Sequence, residues 1–350
     1  MEQCRQTAAP ILLLAVVYGG HSSRPDQDLL QTVMRLGLPL FPVVSRNDLQ
    51  IIQAELPKEC QDYQCVFQDE SNWRQRLVNG LLETFSLLRD KRKVFLSYKR
   101  DDSAAIAEQL FDALNRRGYD VFLDTAEVVP STPFQIQLMH QLMDSDLLLL
   151  LDSPNLGQSE WVQKELQQAK EHGIGILRLR WPEVDESPNQ DNSFMKSIDL
   201  TPSQRIATPG HTPREHRLDP LLVATLADAV EEMRAQGVGL RFLKLYGYCR
   251  DRARKWNLTP ETLPNEIRLH AKTGSPRRLR VVTGRPESQN YHDLFLIMAK
   301  CSLSPENTAL FYNGSGMDPR WRSHLDWLNH ELPVRAVEQN SLDRWLRGTS

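Results

Sequence analysis

Between residues 91 and 181, short and continuously apolar runs alternate with longer segments whose apolar residues recur with a helical period. The runs are KVFLSY, YDVFLD, LLLLLDSP and IGILRLRW, and three amphipathic segments separate them. Apolar runs without alternating polar residues are typical of parallel strands that helices cover on both faces. The pattern therefore predicts an open, doubly wound parallel α/β sheet of at least four strands.

Shorter α/β stretches flank this region on both sides. The first contains the strand-like runs ILLLAVVYG, LPLFPVVS and YQCVFQD, each followed by an amphipathic helix, and the last contains RRLRVVTG, TALFYNG and PVRAVEQ. A sheet of three strands needs neighbouring elements for stability, so we do not expect the first stretch to be stable by itself. The order of elements predicts an α/β fold class in which smaller α/β segments flank one large sheet.

The domain boundaries follow from these stretches. We predict an N-terminal α/β segment at 1–90 with a regulatory role and a central domain at 91–237, which the helix DPLLVATLADAVEEMRAQG closes. Residues 238–350 are predicted to hold a helical connector, LRFLKLYGYCRDRARKW, and a C-terminal α/β domain for sensing or assembly. Two glycine-bearing turns of that last domain, VVTGRPES and FYNGSGMDP, follow strands and can approach a phosphate, although ordinary strand-to-helix turns have the same composition.

Composition excludes several classes of protein. The 42 basic and 45 acidic residues give a net charge of −3, which argues against a general nucleic-acid binder. The longest apolar runs, 11–17 and 147–151, fall short of the roughly 20 residues that cross a bilayer, so we expect neither a membrane span nor a signal peptide and predict a cytoplasmic location. Five scattered cysteines and nine histidines lack ligand spacing, so no metal site is expected.

Residues that directly follow the central strands are the candidates for chemistry, because ligands of open parallel sheets bind beyond the carboxyl ends of the strands. Tyr98 to Asp101 follow the first strand, Asp124 to Thr132 the second and Asp152 to Ser159 the third. Asp102 or Ser103 is expected to cap the first helix, which Gly118 ends.

Glu165 lies about two turns into the helix after the third of these strands. Val162, Leu166 and Ala169 form the apolar stripe of that helix, and Glu165 borders the stripe. The helical period alone favours an ordinary exposed glutamate over a catalytic one.

Four ordered motifs, VFLSYKRDD, YDVFLD with a variable loop, DLLLLLDSP and SEWVQKEL, resemble the Toll/interleukin-1 receptor (TIR) domain family over residues 91–237. The resemblance implies a flavodoxin-like parallel sheet. It also implies one of two functions, since some TIR domains only assemble and others cleave the nicotinamide–ribose bond of NAD+. The NAD-cleaving branch, typical of prokaryotic anti-phage defence, is the first expectation for this chain, with NAD+ as the substrate and no cofactor.

The resemblance also implies roles for individual residues. Glu165 matches the catalytic glutamate of the WxxxEL segment, and the expected substrate-binding residues surround it. They are Ser97, Tyr98, Lys99, Arg100, Phe134, Ser159 and Trp161. Lys99 and Arg100 match a basic pair that meets the phosphates in the family, although a solvated pair at a strand end has the same sequence.

Two features leave room for other outcomes. The loop TAEVVPSTP has two prolines and lacks the glycine that many family members carry, which bears on how this loop gates the site during self-association. The alternatives to NAD+ cleavage are a non-enzymatic TIR assembly module and an enzyme that resembles nucleoside 2-deoxyribosyltransferases. The flanking segments are the expected place for a nucleotide or protein trigger.

Overall fold

The computed structural model describes most of the chain. The described residues are 15–18, 27–35, 40–61, 63, 65–70, 73–84, 91–124, 132–156, 160–184, 195–206, 215–263 and 265–347. They fall into two compact units, Met1–Ser86 and Leu87–Ser350.

The first unit is built on a parallel sheet of three strands in the order β1-β2-β3. Its elements are β1 (Ala15–Tyr18), α1 (Gln27–Arg35), β2 (Leu40–Val44), α2 (Leu49–Glu55), β3 (Val66–Phe67) and α3 (Trp73–Thr84). The side chain of Asp48 caps α2 by accepting hydrogen bonds from the backbone N–H groups of Gln50 and Ile51. The three strands predicted for residues 10–90 are confirmed in position.

The second unit contains two five-stranded sheets. The first sheet and its helices comprise β4 (Arg92–Tyr98), α4 (Arg100–Arg116), β5 (Tyr119–Asp124), α5 (Thr132–Asp144), β6 (Leu147–Asp152), α6 (Glu160–His172), β7 (Gly175–Arg180) and β8 (Met195–Asp199). All four strand pairs are parallel, and the strand order is β5-β4-β6-β7-β8. The predicted open parallel sheet is confirmed, with β8 as its fifth strand.

Alternation along the strands separates two apolar clusters, one on each face of this sheet. On one face Ile106 and Leu110 of α4 pack in a cluster with Leu96 and Leu149. On the other face Leu138 and Leu142 of α5 and Val162 and Leu166 of α6 pack with Phe95 and Leu148. We call the second one the α5/α6 face. Both faces of the central strands are buried, as the continuous apolar runs predicted.

The second sheet follows in the chain and has the order β11-β12-β13-β14-β15. The elements after β8 are β9 (Arg205–Ile206), β10 (Arg217–Leu218), α7 (Pro220–Lys255), β11 (Thr259–Leu263), β12 (Glu266–His270), β13 (Arg277–Val282), α8 (Ser288–Cys301), β14 (Thr308–Tyr312), α9 (Pro319–Glu331), β15 (Arg335–Glu338) and α10 (Leu342–Arg347). The last three strands are parallel, and β11 and β12 extend them as an antiparallel hairpin. The three strands and two helices predicted after residue 270 are confirmed.

Helix α7 corrects one sequence-based expectation. A closing helix that ends near Gly237 and a separate connector helix were predicted, but the structure has one helix over Pro220–Lys255. Leu226 and Val230 of this helix pack on the first sheet, whereas Leu245 and Cys249 pack on the second. The predicted boundary at residue 237 therefore lies inside a continuous helix, and the division into separate central and C-terminal domains stays a prediction.

The described helices bear on membrane association as well. None of them combines the length and apolar character that crossing a lipid bilayer requires.

Candidate active site

The switch point of the first sheet lies between β4 and β6, because the chain leaves these neighbouring strands toward opposite faces. After β4 it continues into α4 on one face, and after β6 it continues into α6 on the other. Tyr98 at the end of β4 is aligned with Leu151 near the end of β6. Ligands of open parallel sheets bind outside the carboxyl ends of strands at such a point.

Asp102 joins the two segments that diverge there. Its carboxylate accepts hydrogen bonds from Ser153 Oγ at 2.6 Å and from Asn155 Nδ2 at 2.9 Å. Helix α4 begins at Arg100 with Lys99 as its N-cap, one turn before the expected cap at Asp102 or Ser103, but it is kinked at Ser103, whose backbone is non-helical at φ −150° and ψ 24°. The longer part of α4 therefore follows Ser103, in agreement with the expected start, and Ser103 Oγ donates to the carbonyl oxygen of Lys99 at 3.0 Å. The helix ends as predicted, with Gly118 in the left-handed region at φ 81°.

Polar residues are buried at the carboxyl edge of the α5/α6 face, which is otherwise apolar. Ser97 and Asp124 are aligned with each other in the neighbouring strands β4 and β5. Arg178 is in β7, two strands from Ser97, and Leu150 of β6 is aligned between them. All three are buried, as is Asp152, whose carboxylate accepts hydrogen bonds from Nε and Nη2 of Arg178. The alternation of the strands directs these four side chains to the α5/α6 face, together with Phe95, Leu148 and Ile176.

Glu165 belongs to the same face and to the same end of the sheet. It is the sixth residue of α6, about 7.5 Å along the axis from the start of the helix at the carboxyl edge of β6. Its side chain is 0 % exposed, between Val162 and Leu166, which pack on the sheet. Glutamate is among the residues that are least often fully buried. The reading of Glu165 as an ordinary solvated helix residue is therefore wrong.

The other predicted site residues have diverse positions. Ser97 is on the α5/α6 face, but Tyr98 packs in the apolar cluster of the opposite face. Lys99 is half-buried and Arg100 is exposed at the start of α4. Phe134 and Trp161 belong to α5 and α6, whereas Ser159 and the loop residues 125–131 lie outside the described residues.

Sequence reasoning missed Arg178, and it placed Asp124 and Asp152 only in the segments that follow strands, without a role in the site for either side chain. The signal was a charged residue inside or at the end of a run that is otherwise apolar, as in IGILRLRW. Buried charges are costly unless they are paired, so a charge in a buried strand indicates a partner nearby. Asp124 is the last residue of β5 and is only 2 % exposed.

Together, Asp124, Asp152 and Glu165 bring three carboxyl groups to this edge, and Arg178 brings one guanidinium, which pairs with Asp152. Within the described ranges, no group of three or more His, Cys, Asp or Glu side chains is arranged to hold a metal ion. A carboxylate at such an edge can stabilise positive charge that develops on a substrate.

A parallel sheet in the order β5-β4-β6-β7-β8, with helices on both faces, defines a flavodoxin-like α/β domain. Comparison of the sequence with protein-family models agrees with this fold class and assigns the domain to one family within it. Residues 94–208 match the family model described as TIR domain, so this part of the chain is a TIR domain. No curated protein matches the chain at a significant level.

Proposed function

We propose that the TIR domain cleaves the nicotinamide–ribose bond of NAD+ and that Glu165 is its catalytic carboxylate. The observation that carries this proposal is the complete burial of Glu165 at the carboxyl edge of the sheet, next to the switch point. A glutamate that serves only as a hydrated surface residue would be exposed to solvent and would not occupy this buried position. The match of SEWVQKEL to the TIR family supports the same residue.

The chemistry of the leaving group explains why one carboxylate suffices. Nicotinamide leaves from a cationic pyridinium, so it departs as a neutral molecule and needs no general acid. The ribose then carries positive charge in an oxocarbenium-like transition state, which a nearby carboxylate stabilises. Glu165 supplies this negative charge from its buried position on the α5/α6 face. The half-buried Lys99 and the exposed Arg100, across the switch point, are proposed to meet the pyrophosphate.

Access to Glu165 requires a conformational change. Because its side chain makes no contact with solvent, NAD+ reaches the carboxylate only after a covering segment has moved. We propose that self-association through the TIR domain provides this movement and keeps the isolated protein at low activity. Such restraint is consistent with an effector of anti-phage defence, since unrestrained loss of NAD+ would harm the cell.

Nicotinamide release by the purified full-length protein tests the proposal. The assay compares the wild type with Glu165→Gln over a range of protein concentrations and with a crowding agent. Glu165→Gln removes the negative charge with little change in shape, so we expect a loss of about a hundredfold or more. Glu108→Gln on α4 is the matched control, because Glu108 is exposed, and it retains wild-type activity.

Three results would contradict the assignment. Equal rates in the wild type and in folded Glu165→Gln would remove Glu165 from the mechanism. No turnover of NAD+ at any protein concentration would favour a TIR module that only assembles. Base exchange on deoxynucleosides without loss of NAD+ would favour a transferase that acts on nucleosides.

A further inference from the structure

A cavity of about 270 Å³ lies at the end of α6 that is nearer the amino edge of the TIR sheet, and its lining residue His172 is about 10 Å along the helix axis from Glu165. One wall comes from the carboxyl ends of the three parallel strands of the second sheet. Thr283 and Gly284 follow β13, Asn313 and Ser315 follow β14, and Gln339 follows β15. The carboxyl ends of parallel strands are where α/β sheets bind ligands, so the second sheet has a site in the expected place.

The opposite wall comes from α7 and from the end of α6. It includes Arg241, Lys244 and Tyr248 of α7 and His172, the last residue of α6. The volume is close to the lower end of the range for pockets that hold small organic ligands. Helices that pack on the first sheet and strand ends of the second sheet therefore line one cavity.

The charge of this wall is positive. Asp146 accepts from Arg241 Nη2 at 3.0 Å and from Arg234 Nε at 3.1 Å, so two guanidinium groups face one carboxylate and the trio has a formal charge of +1. Lys244 adds a further positive charge at the cavity. Glu171 also lines the cavity, and its carboxylate, which accepts hydrogen bonds from Gln167 and Gln168, opposes one of these positive charges, so a net formal charge of +1 remains. An anionic group is the favoured occupant.

Lys244 also has a donor to spare. Its ammonium group donates to the carbonyl oxygens of Glu171 at 2.7 Å and Lys170 at 3.4 Å, which fixes the side chain against the end of α6. An ammonium group has three N–H donors, so one remains for a ligand. Burial lowers the pKa of Lys244. It also lowers the pKa of His172, and this shift favours the neutral form of the imidazole ring at the cavity.

The turn after β14 is held in place before any ligand binds. Arg285 is 3 % exposed and donates to the carbonyl oxygens of Asn313 at 3.0 Å and Ser315 at 2.6 Å. Asn313 Oδ1 in turn accepts from the backbone N–H of Ser315, and its Nδ2 lies 3.3 Å from His172 Nδ1. A rigid turn lowers the entropic cost of binding.

We propose that this cavity binds a phosphorylated small molecule of about the size of a nucleoside monophosphate. Lys244 and the Arg241 side of the cavity meet the phosphate, while Tyr248 and the amides of Asn313 and Gln339 surround the organic part. Because the cavity lies between the two sheets, its ligand favours the arrangement in which both walls are together. The site is distinct from the one proposed for NAD+ cleavage.

Calorimetry and thermal unfolding of the full-length protein test this site with four probes: AMP, ribose 5-phosphate, inorganic phosphate and adenosine. We expect AMP to bind and to raise the unfolding temperature in a saturable manner, and adenosine to have no effect at the same concentration. Lys244→Gln should weaken AMP binding about tenfold or more, because a charge-assisted contact is lost. Lys255→Gln, at an exposed lysine of the same helix, should bind as the wild type does.

A second variant guards against misfolding of the first. Gln339→Glu places a negative charge on the opposite wall and should weaken AMP binding while the unliganded protein unfolds at the wild-type temperature. Titration in the Glu165→Gln background should give the wild-type affinity, which separates this site from the proposed NAD+ chemistry. Full stabilisation by inorganic phosphate alone, equal binding of adenosine, no binding of any phosphorylated probe, or unchanged affinity in Lys244→Gln would overturn the proposal.

Discussion

At the scale of single residues, the second unit contains charged side chains that water does not reach. Asp146 stands just before β6, and Arg234 projects from α7; both side chains are 0 % exposed. Arg241 makes the second ion pair of Asp146 and is nearly as well buried. Such a cluster is favourable only while it is complete, because each member compensates the charge of another.

Loss of Asp146 should therefore be costly. We expect Asp146→Ala to lower the free energy of unfolding by about 3–5 kcal/mol, since two guanidinium groups remain buried without their carboxylate. Asp228→Ala is the matched control, because Asp228 pairs with Arg117 where both side chains are more than one third exposed. Urea denaturation should show a change of at most about 1 kcal/mol for the control. Equal effects of the two substitutions would mean that burial does not set the energy of the Asp146 cluster.

His140 gives the stability a dependence on pH. Its Nδ1 accepts a hydrogen bond from the backbone N–H of Asp318 at 3.1 Å, which requires a neutral ring. Burial, followed by the charge of Arg285, lowers the pKa of His140 below its ordinary value of 6.5, and Asp144 opposes this shift. The unfolded chain consequently takes up a proton first as the pH falls, so stability is complete above pH 6.5 and decreases below it.

Unfolding at pH 7.5 and at pH 5.5 measures this effect. We expect the wild type to lose more stability between these values than His140→Gln, in which the titrating group is absent. His292→Gln, at an exposed histidine, should retain the wild-type loss. If His140→Gln lost as much stability as the wild type over this interval, protonation of His140 would not be the cause.

At the scale of elements, the glycine at position 237 inside α7 allows the helix to pass close to the backbone of the first sheet. A Cβ at residue 237 would lie 2.7 Å from the backbone nitrogen of Gly175 and 3.1 Å from the carbonyl oxygen of Asp146. Gly239, two residues on, has open space where its Cβ would be. We predict that Gly237→Ala destabilises the protein despite the better helix propensity of alanine, whereas Gly239→Ala stabilises it by about 1 kcal/mol. Thermal unfolding of both variants decides this, and stabilisation by Gly237→Ala would refute the close contact.

The same helix shows how far the sequence predicts the fold. Short continuous apolar runs such as LLLLL, bounded by turn residues, indicate buried strands, because they are typical of strands covered on both faces. Gly237 has two readings in sequence, a helix end or a close approach, and only the neighbouring backbone of Gly175 distinguishes them. Glu165 was found by its motif, but its burial depends on the tertiary contacts of α6, which the motif does not specify.

At the scale of the whole second unit, several polar contacts join the two sheets. Lys93 of the TIR sheet forms ion pairs with Asp144 and with Glu287, just before α8. The backbone N–H of Arg285 donates to Asp144 Oδ1 at 2.8 Å, and α7 packs on both sheets. These contacts predict that residues 87–350 unfold together and not one sheet at a time.

Cys249 provides a reporter for this cooperation. Its side chain packs on the second sheet and is 0 % exposed, and burial raises the pKa of its thiol to about 12. Because the reactive thiolate is neither accessible nor populated in the folded protein, alkylation requires opening of that region. Leu149→Ala removes a fully buried side chain from the first sheet, at a cost of about 2–5 kcal/mol. If the sheets open as one unit, this distant substitution should increase the rate of Cys249 alkylation by tenfold or more. Mass spectrometry of the labelled peptide measures this rate. Leu221→Ala, at a leucine that is 77 % exposed, should leave the rate unchanged.

Unchanged labelling in Leu149→Ala, together with a lower unfolding temperature, would show that the TIR sheet opens alone. A ligand between the sheets would then lack a rigid connection to Glu165.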